Sequence, residues 1–251
     1  FLTIEDCDPQ TIYRVRATVT DERGGRVTQA RYVGGFAEAK RVAAPVALDG
    51  KLDEPAWAQA KVMEIREKRQ MFTFDAQKLD VLWNGPEDLS ARWRALWDKE
   101  NLYLAVEVTD DAHHVQFADG AIWNQDGLQF LFDPARLSAE KAGKYDYSVG
   151  LGTKGPQAWC HLTADANERT GEAIGISVAV ADLPGSKGGK LYEIAIPWKR
   201  LAPFKPALGA DLGMSLILNE DDGEGRFGFM GWFSGVHSKE LDLVGDLVLT
   251  E

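Results

Sequence analysis

The sequence predicts an all-β protein, an antiparallel β-sandwich of the jelly-roll or immunoglobulin-like kind. Three observations predict it: runs of period-two apolar alternation, turn-forming clusters between those runs, and very few helical patterns. In the run "NLYLAVEVTD", Leu102, Leu104, Val106 and Val108 alternate with Tyr103, Ala105, Glu107 and Thr109, which places the first set on one sheet face. "AIGISVAVAD" repeats the pattern with Ile174, Ile176, Val178 and Val180, and "LGMSLILNE" with Leu212, Met214, Leu216 and Leu218. "ARWRALWD", "GLQFLFD", "KLYEIAIPW", "FGFMGW" and "GDLVLT" are further strand candidates. The clusters "DLPGSKGGK" and "NEDDGEGR" between them read as turns. Pro55 suits the first position of one short helix in "DEPAWAQAKVMEI", and "DPARLSAEKAG" is a second short-helix candidate. Many strands with almost no helix leave a sandwich or barrel.

The first residues read differently. "IYRVRATVTDERGGRVTQARYV" is a β-hairpin around "DERGG", and two strands bury no core of their own. Residues 1–38 therefore read as a hairpin segment, either the end of a preceding immunoglobulin-like domain or extra strands of the main sandwich, and 39–251 as that sandwich. "FAEAKRVAAP" is then the junction.

Composition narrows the function. The chain has 251 residues, enough for a sizeable core, and a net charge of −11. That balance argues against a nucleic-acid partner or an anionic membrane surface, and no stretch is apolar enough for membrane insertion. The chain begins at Phe1 with no signal-peptide pattern and reads as a mature or excised piece. Two cysteines, Cys7 and Cys160, are too few for a disulfide scaffold or a zinc site, and whether they bridge is open.

Searches for catalytic motifs fail: there is no nucleophile elbow, zincin helix motif or kinase set. "GSKGGKL" lacks the glycine spacing of a phosphate loop. Gly150, Gly152 and Gly155 in "GLGTKG" match a dinucleotide fingerprint, but Pro156 and a strand-like run follow where a helix would open, so a glycine-rich turn is expected. No pair of carboxylates stands out as a glycosidase pair. His113 and His114 are adjacent and point to opposite sides of a strand, which disfavours a shared soft-metal ion. The oxygen-rich loops around Asp110, Asp111 and Asp221 suit a structural Ca²⁺ instead, with solvated turn acids as the alternative.

Four ordered segments then resemble the family 9 carbohydrate-binding modules: "LDGKLDEPAW"; "ARWRALWDKENLYLAVEVTDD"; "IWNQDGLQFLFD"; and "YEIAIPWKRL" with "GMSLILNEDDGEGRFGFMGW" and "GDLVLT". The resemblance covers nearly all of residues 40–251. It implies a sandwich of two antiparallel sheets and a terminal sugar clamped between two Trp side chains, here Trp123 and Trp232. An indole covers the apolar C–H face of a pyranose, and two would exclude water from both sides. Asn124, Asp126 and Gln129 are the implied polar partners. Gln129 stands where the family has a sugar-binding Glu, and it donates as well as accepts, which changes the hydroxyl preference. Ser148 stands where an Arg is expected. Both departures bear on the family's ligands, the reducing ends of glucans and xylans. Trp57, Trp97 and Trp198 lie in fold-defining segments and are expected in the core.

The reading is a non-catalytic module that binds a glycan or polysaccharide, joined to other domains of the same polypeptide at an extracellular, cell-surface or periplasmic location. Two alternatives stand beside it: a structural or adhesive sandwich without a sugar site, and a haem-binding domain like the related DOMON sandwiches. The latter needs a Met and a His as axial ligands, from Met63, Met71, Met214, Met230 and the four His.

Overall fold

A computed structural model of the chain describes residues 13–33, 35–73, 83–136, 143–166 and 169–251. β1 (Tyr13–Thr20) and β2 (Arg26–Val33) form the expected hairpin, in register from Tyr13↔Val33 to Thr20↔Arg26. Among the described residues they pair with each other alone, as a two-stranded sheet. Val19 and Val27 face each other across it, 69% and 65% exposed. Since this hairpin adds no strand to the main sheet, a chain lacking residues 1–34 is expected to melt cooperatively near the melting temperature of the full chain. A molten or insoluble truncation, read by near-ultraviolet circular dichroism, would show that the hairpin completes the core.

The remaining strands form two layers. One contains β8 (Gly127–Asp133), β9 (Tyr145–Gly152), β10 (Gly155–Leu162), β11 (Gly171–Glu172) and β14 (Asp211–Glu220) in the order β11-β10-β9-β8-β14. Beside β14, β15 (Gly228–Trp232) and then β5 (Met71–Thr73) extend it. The second layer runs β16 (Gly245–Thr250), β3 (Phe36–Arg41), β6 (Leu89–Trp97), β7 (Asn101–Asp110), β13 (Lys190–Pro197) and β12 (Ser177–Asp182). The short β4 (Met63–Ile65) also pairs with β6. The layers join at β14, whose first residues pair with β16 and whose later ones pair with β15.

Pairing is antiparallel except at β16–β3 and β3–β6, which are parallel. Residues 36–41, expected as a junction, are thus a strand of the sandwich: β3 lies between β16 and β6, with Ala37 and Ala39 fully buried.

The alternations read from the sequence build the core. Leu102, Leu104, Val106 and Val108 of β7 meet Leu128, Phe130 and Phe132 of β8 and Leu212, Met214, Leu216 and Leu218 of β14 in one continuous cluster. At about 1.5–3 kcal/mol for each large apolar side chain buried, these rows dominate the stability. Ile174 departs from its row: it is 74% exposed, because a turn closed by Ile176 N–H on Ala173 O precedes β12.

Outside the second layer, α1 (Pro55–Gln59) starts on Pro55 and lays Trp57 over Leu96, Tyr103 and Ala105, so β7 is buried on both faces. Trp57, Trp97 and Trp198 are all buried. "GLGTKG" is the β9–β10 hairpin turn, with Gly155 at φ +102, a conformation that favours glycine. The second helix candidate falls largely on residues 137–142, and Cys7 on residues 1–12, both outside the described residues.

Candidate functional site

The outer face of the first layer carries a cleft of about 640 Å³. Strand parity builds its floor. Because Leu128 and Phe130 point inward, Gln129 between them points outward, and its cross-strand partners Ile217 and Ser148 share that face. The side walls come from irregular segments. A 3₁₀ turn, Asp119–Asn124, buries Ile122 and leaves Trp123 39% exposed at the cleft. Opposite, α2 (Gly235–Ser238) and the residue after it contribute Val236, His237 and Lys239.

The Trp123 loop is held by side-chain amides. Gln125 Oε1 accepts the N–H groups of Gln116 and Phe117 at 2.7 and 2.6 Å, and its Nε2 donates to Leu151 O at 3.0 Å. Gln157 Oε1 accepts Asp119 N–H at 2.6 Å. Gly120 lies against Trp159, where a Cβ would come 3.1 Å from the indole nitrogen.

The floor is polar and internally bonded. Asp146, 1% exposed, accepts from Gln129 Nε2 at 2.9 Å and pairs with Lys239 Nζ at 2.5 Å. Ser148 Oγ and His161 Nε2 lie 2.9 Å apart. Burial holds the His161 imidazole below its ordinary pKa; the Asp146 charge opposes this and the Lys239 charge adds to it. The Arg226 guanidinium lies 5.5 Å from the ring centroids of both Trp123 and Phe229, and burial draws its pKa down to about 10.

A second constellation lies between the layers at one end of the sandwich. Asp110 ends β7, Asp126 precedes β8 and Glu220 ends β14. Each continues the inward parity of its strand, so all three carboxylates are buried at 1–2% exposure. His113 Nδ1 is 3.5 Å from Asp110 Oδ2 and 4.0 Å from Asp126 Oδ2, and one ligand atom from each of these residues falls within 4.8 Å of the others. Among the described residues neither carboxylate oxygen of Glu220 has a hydrogen-bond partner, nor does His113 Nε2. Burial first, then the charges of Asp126 and Asp110, push Glu220 up to about 11. Asp126 rises to about 9 by burial and the Asp110 charge, against the N–H groups of His114 and Asp221 that it accepts.

The sequence profile described as carbohydrate family 9 binding domain-like matches residues 48–251. The chain belongs to that family. The similar solved structures share its fold. A family 9 carbohydrate binding module from Caldicellulosiruptor kristjanssonii in complex with cellotriose superposes with a TM-score of 0.62 at 18% identity, covering 86% of this chain and 93% of that one. The same organism's module in complex with glucose gives a TM-score of 0.60 at 18% identity, covering 86% and 95%. A curated relative, endo-1,4-beta-xylanase A of Thermotoga neapolitana, is 25% identical over 173 residues; the match spans 62% of this chain and 15% of the enzyme.

In this family 9 domain the expected site residues separate. Trp123, Asn124 and Gln129 meet at the cleft. Trp232 does not join them. Its register partner is Leu216, an inward residue, and its ring is 1% exposed, 5.0 Å from Trp93 edge-on and 4.9 Å from Phe233. The inward parity of β15 therefore removes the second wall of the expected clamp. Asp126 is corrected likewise: it faces the interior, and its oxygens take up backbone N–H groups.

Of the expected cation ligands, Asp110 is in the buried cluster and Asp111 is exposed. Asp221 is buried, and its Oδ1 closes the following turn on the N–H groups of Gly223 and Gly225 at 2.8 and 2.9 Å. All four Met side chains are buried in the core, so none offers sulfur to the cleft. Sequence reasoning missed Asp146, His161, Arg226 and Lys239, which carry no local motif. It also missed Glu220, which the Leu216–Leu218 alternation, continued by one step, would have found.

Proposed function

We propose that this domain is a non-catalytic sugar-binding module that holds a glycan in the outer-face cleft by stacking on one aromatic wall, Trp123, as part of a larger extracytoplasmic protein. One observation carries this: a Trp 39% exposed at the mouth of a cleft whose floor is polar. A pyranose set on the indole loses the hydration of one C–H face, while the amides of Gln129 and Asn124 and the His161 ring meet its hydroxyls. Paired-acid hydrolysis finds no support here. Asp146 is the one carboxylate lining the cleft among the described residues, and Lys239 neutralises it. The large size of the xylanase relative supports the module reading, and no described helix is long and apolar enough to cross a membrane.

Trp123→Ala tests the site. Losing one stacking wall is expected to weaken binding by about 1–3 kcal/mol, roughly ten- to a hundredfold, with melting unchanged because the ring is exposed. Calorimetric titration with cello- and xylo-oligosaccharides reads the first effect and thermal melting the second. Unchanged affinity, or a collapsed melting temperature, would overturn the assignment.

We infer also that a hard cation such as Ca²⁺ is held by Asp110, Asp126 and His113, whose ligand atoms lie within 4.8 Å of one another, with the buried Glu220 carboxylate beside them, in place of the Asp110–Asp111–Asp221 set expected from sequence. Three buried carboxylates without a facing cation are costly, and Ca²⁺ takes oxygen ligands of this kind. The orphaned oxygens of Glu220 support this reading most directly.

A further inference from the structure

We propose that the cleft continues beyond its Trp123 wall onto Phe72, a second stacking platform, so that this domain prefers an oligosaccharide spanning several sugar units over a single terminal sugar; the inference rests on the sugar-binding reading above. β5 pairs with β15 and sets Phe72 directly across from Phe229. Phe229 in turn faces Asn219 of β14, two residues along from Ile217 on the cleft floor, so strand parity puts Phe72 and the floor on one face of the sheet.

The rings form a connected series. The Phe72 and Phe229 centroids are 5.1 Å apart with planes 17° from parallel. Arg226 lies 5.5 Å over Phe229 and 5.5 Å over Trp123, and the ring of His237, a cleft residue, lies 5.2 Å from that of Phe229. Phe229 itself is 1% exposed, whereas Phe72 and Trp123 are each 39% exposed. The buried ring is therefore a support, and the open rings stand at the two ends of the series.

This differs from an incidental surface aromatic. Among the exposed large hydrophobic residues described, Ile174, Leu208, Val19 and Val27 are not in a ring series with the cleft, and Phe36 lies under Lys61. Phe72 alone stacks on a ring that touches cleft residues. A ring clamped on one face by a parallel neighbour presents its other face already oriented, which lowers the ordering cost of stacking.

The test titrates the full chain with glucose and with cellotriose. The native protein is expected to bind cellotriose about tenfold or more tightly than glucose, the gain of one further stacking contact. Phe72→Ala should remove most of that gain and leave glucose affinity unchanged, whereas Trp123→Ala should weaken both. Phe72→Leu, which keeps an apolar cover on Phe229 without a flat ring, should behave as Phe72→Ala if the latter folds poorly; Phe72→Tyr should retain the gain. Equal native affinity for the two probes, or full cellotriose affinity in Phe72→Leu, overturns the extension while leaving the Trp123 site standing. If neither probe binds the native chain, the sugar-binding reading falls and this extension falls with it.

Discussion

Trp232→Ala is expected to destabilise the domain by about 3–5 kcal/mol, the usual cost of truncating a fully buried Trp. The side chain ends β15 and points into the core, edge-on to Trp93 and to Phe233. Gly245 completes the packing: a Cβ there would come within 2.6 Å of the Trp232 ring, so neighbouring backbone already fills the space around the indole. Removing it leaves a void lined by rigid rings and strand backbone, which collapse little, so the upper half of the range applies. Urea unfolding reads the change as a shift in midpoint at constant slope. Affinity for sugar, measured well below the melting temperature, should be unchanged, because the ring is absent from the cleft. Lost binding with unchanged stability would restore Trp232 to a clamp and refute its burial. Paired with Trp123→Ala, whose effects are the reverse, the experiment separates the two Trp completely.

The second large effect concerns the Asp110–Asp126–Glu220 cluster. Glu220 and Asp126 have folded-state pKa values raised to about 11 and about 9. A raised carboxyl pKa means that the folded state binds protons the unfolded chain releases. The stability this gives is complete below the unfolded values, near 4, and is lost as pH rises toward the folded ones. Across pH 5 to 8 the chelator-treated protein should therefore lose stability with rising pH, read as a falling melting temperature.

A cation reverses this by stabilising the ionised carboxylates. Ca²⁺ added at pH 8 should raise stability by about 2.7 kcal/mol at a hundredfold excess over Kd and flatten the pH dependence. Glu220→Gln should remove one proton's share of the slope and most of the calcium response. The cluster also joins the two ends of the connection that carries Trp123, since Asp110 precedes it and Asp126 closes it. Chelation is thus expected to weaken sugar binding as well as melting. A melting temperature indifferent to both chelator and pH would mean that these carboxylates are hydrated, and the cation assignment would be lost.

The sequence by itself determined the sandwich and the inward rows of β7, β8 and β14, because period-two alternation is a local property that any two-layer burial must satisfy. It determined the outward direction of Gln129 by the same arithmetic, the helical turn at Pro55, and the β9–β10 turn from its glycines. It also placed Trp123 beside a loop, where a ring escapes burial. Parity could not say which loops close over which face. Trp232 follows Met230 in an alternating run, and whether that row turns inward depended on its register with Leu216.

The cleft's chemistry lay further from view. Asp146, His161, Arg226 and Lys239 come from β9, β10, the segment before β15 and the residue after α2, up to 93 positions apart, between Asp146 and Lys239, in the chain that makes their 2.5 Å contact. The acidic turn segments suggested a cation, but only the face-to-face packing of the two layers put Asp110, Asp126 and Glu220 out of water. A carboxylate's environment is set by what covers it, and that is a property of tertiary structure.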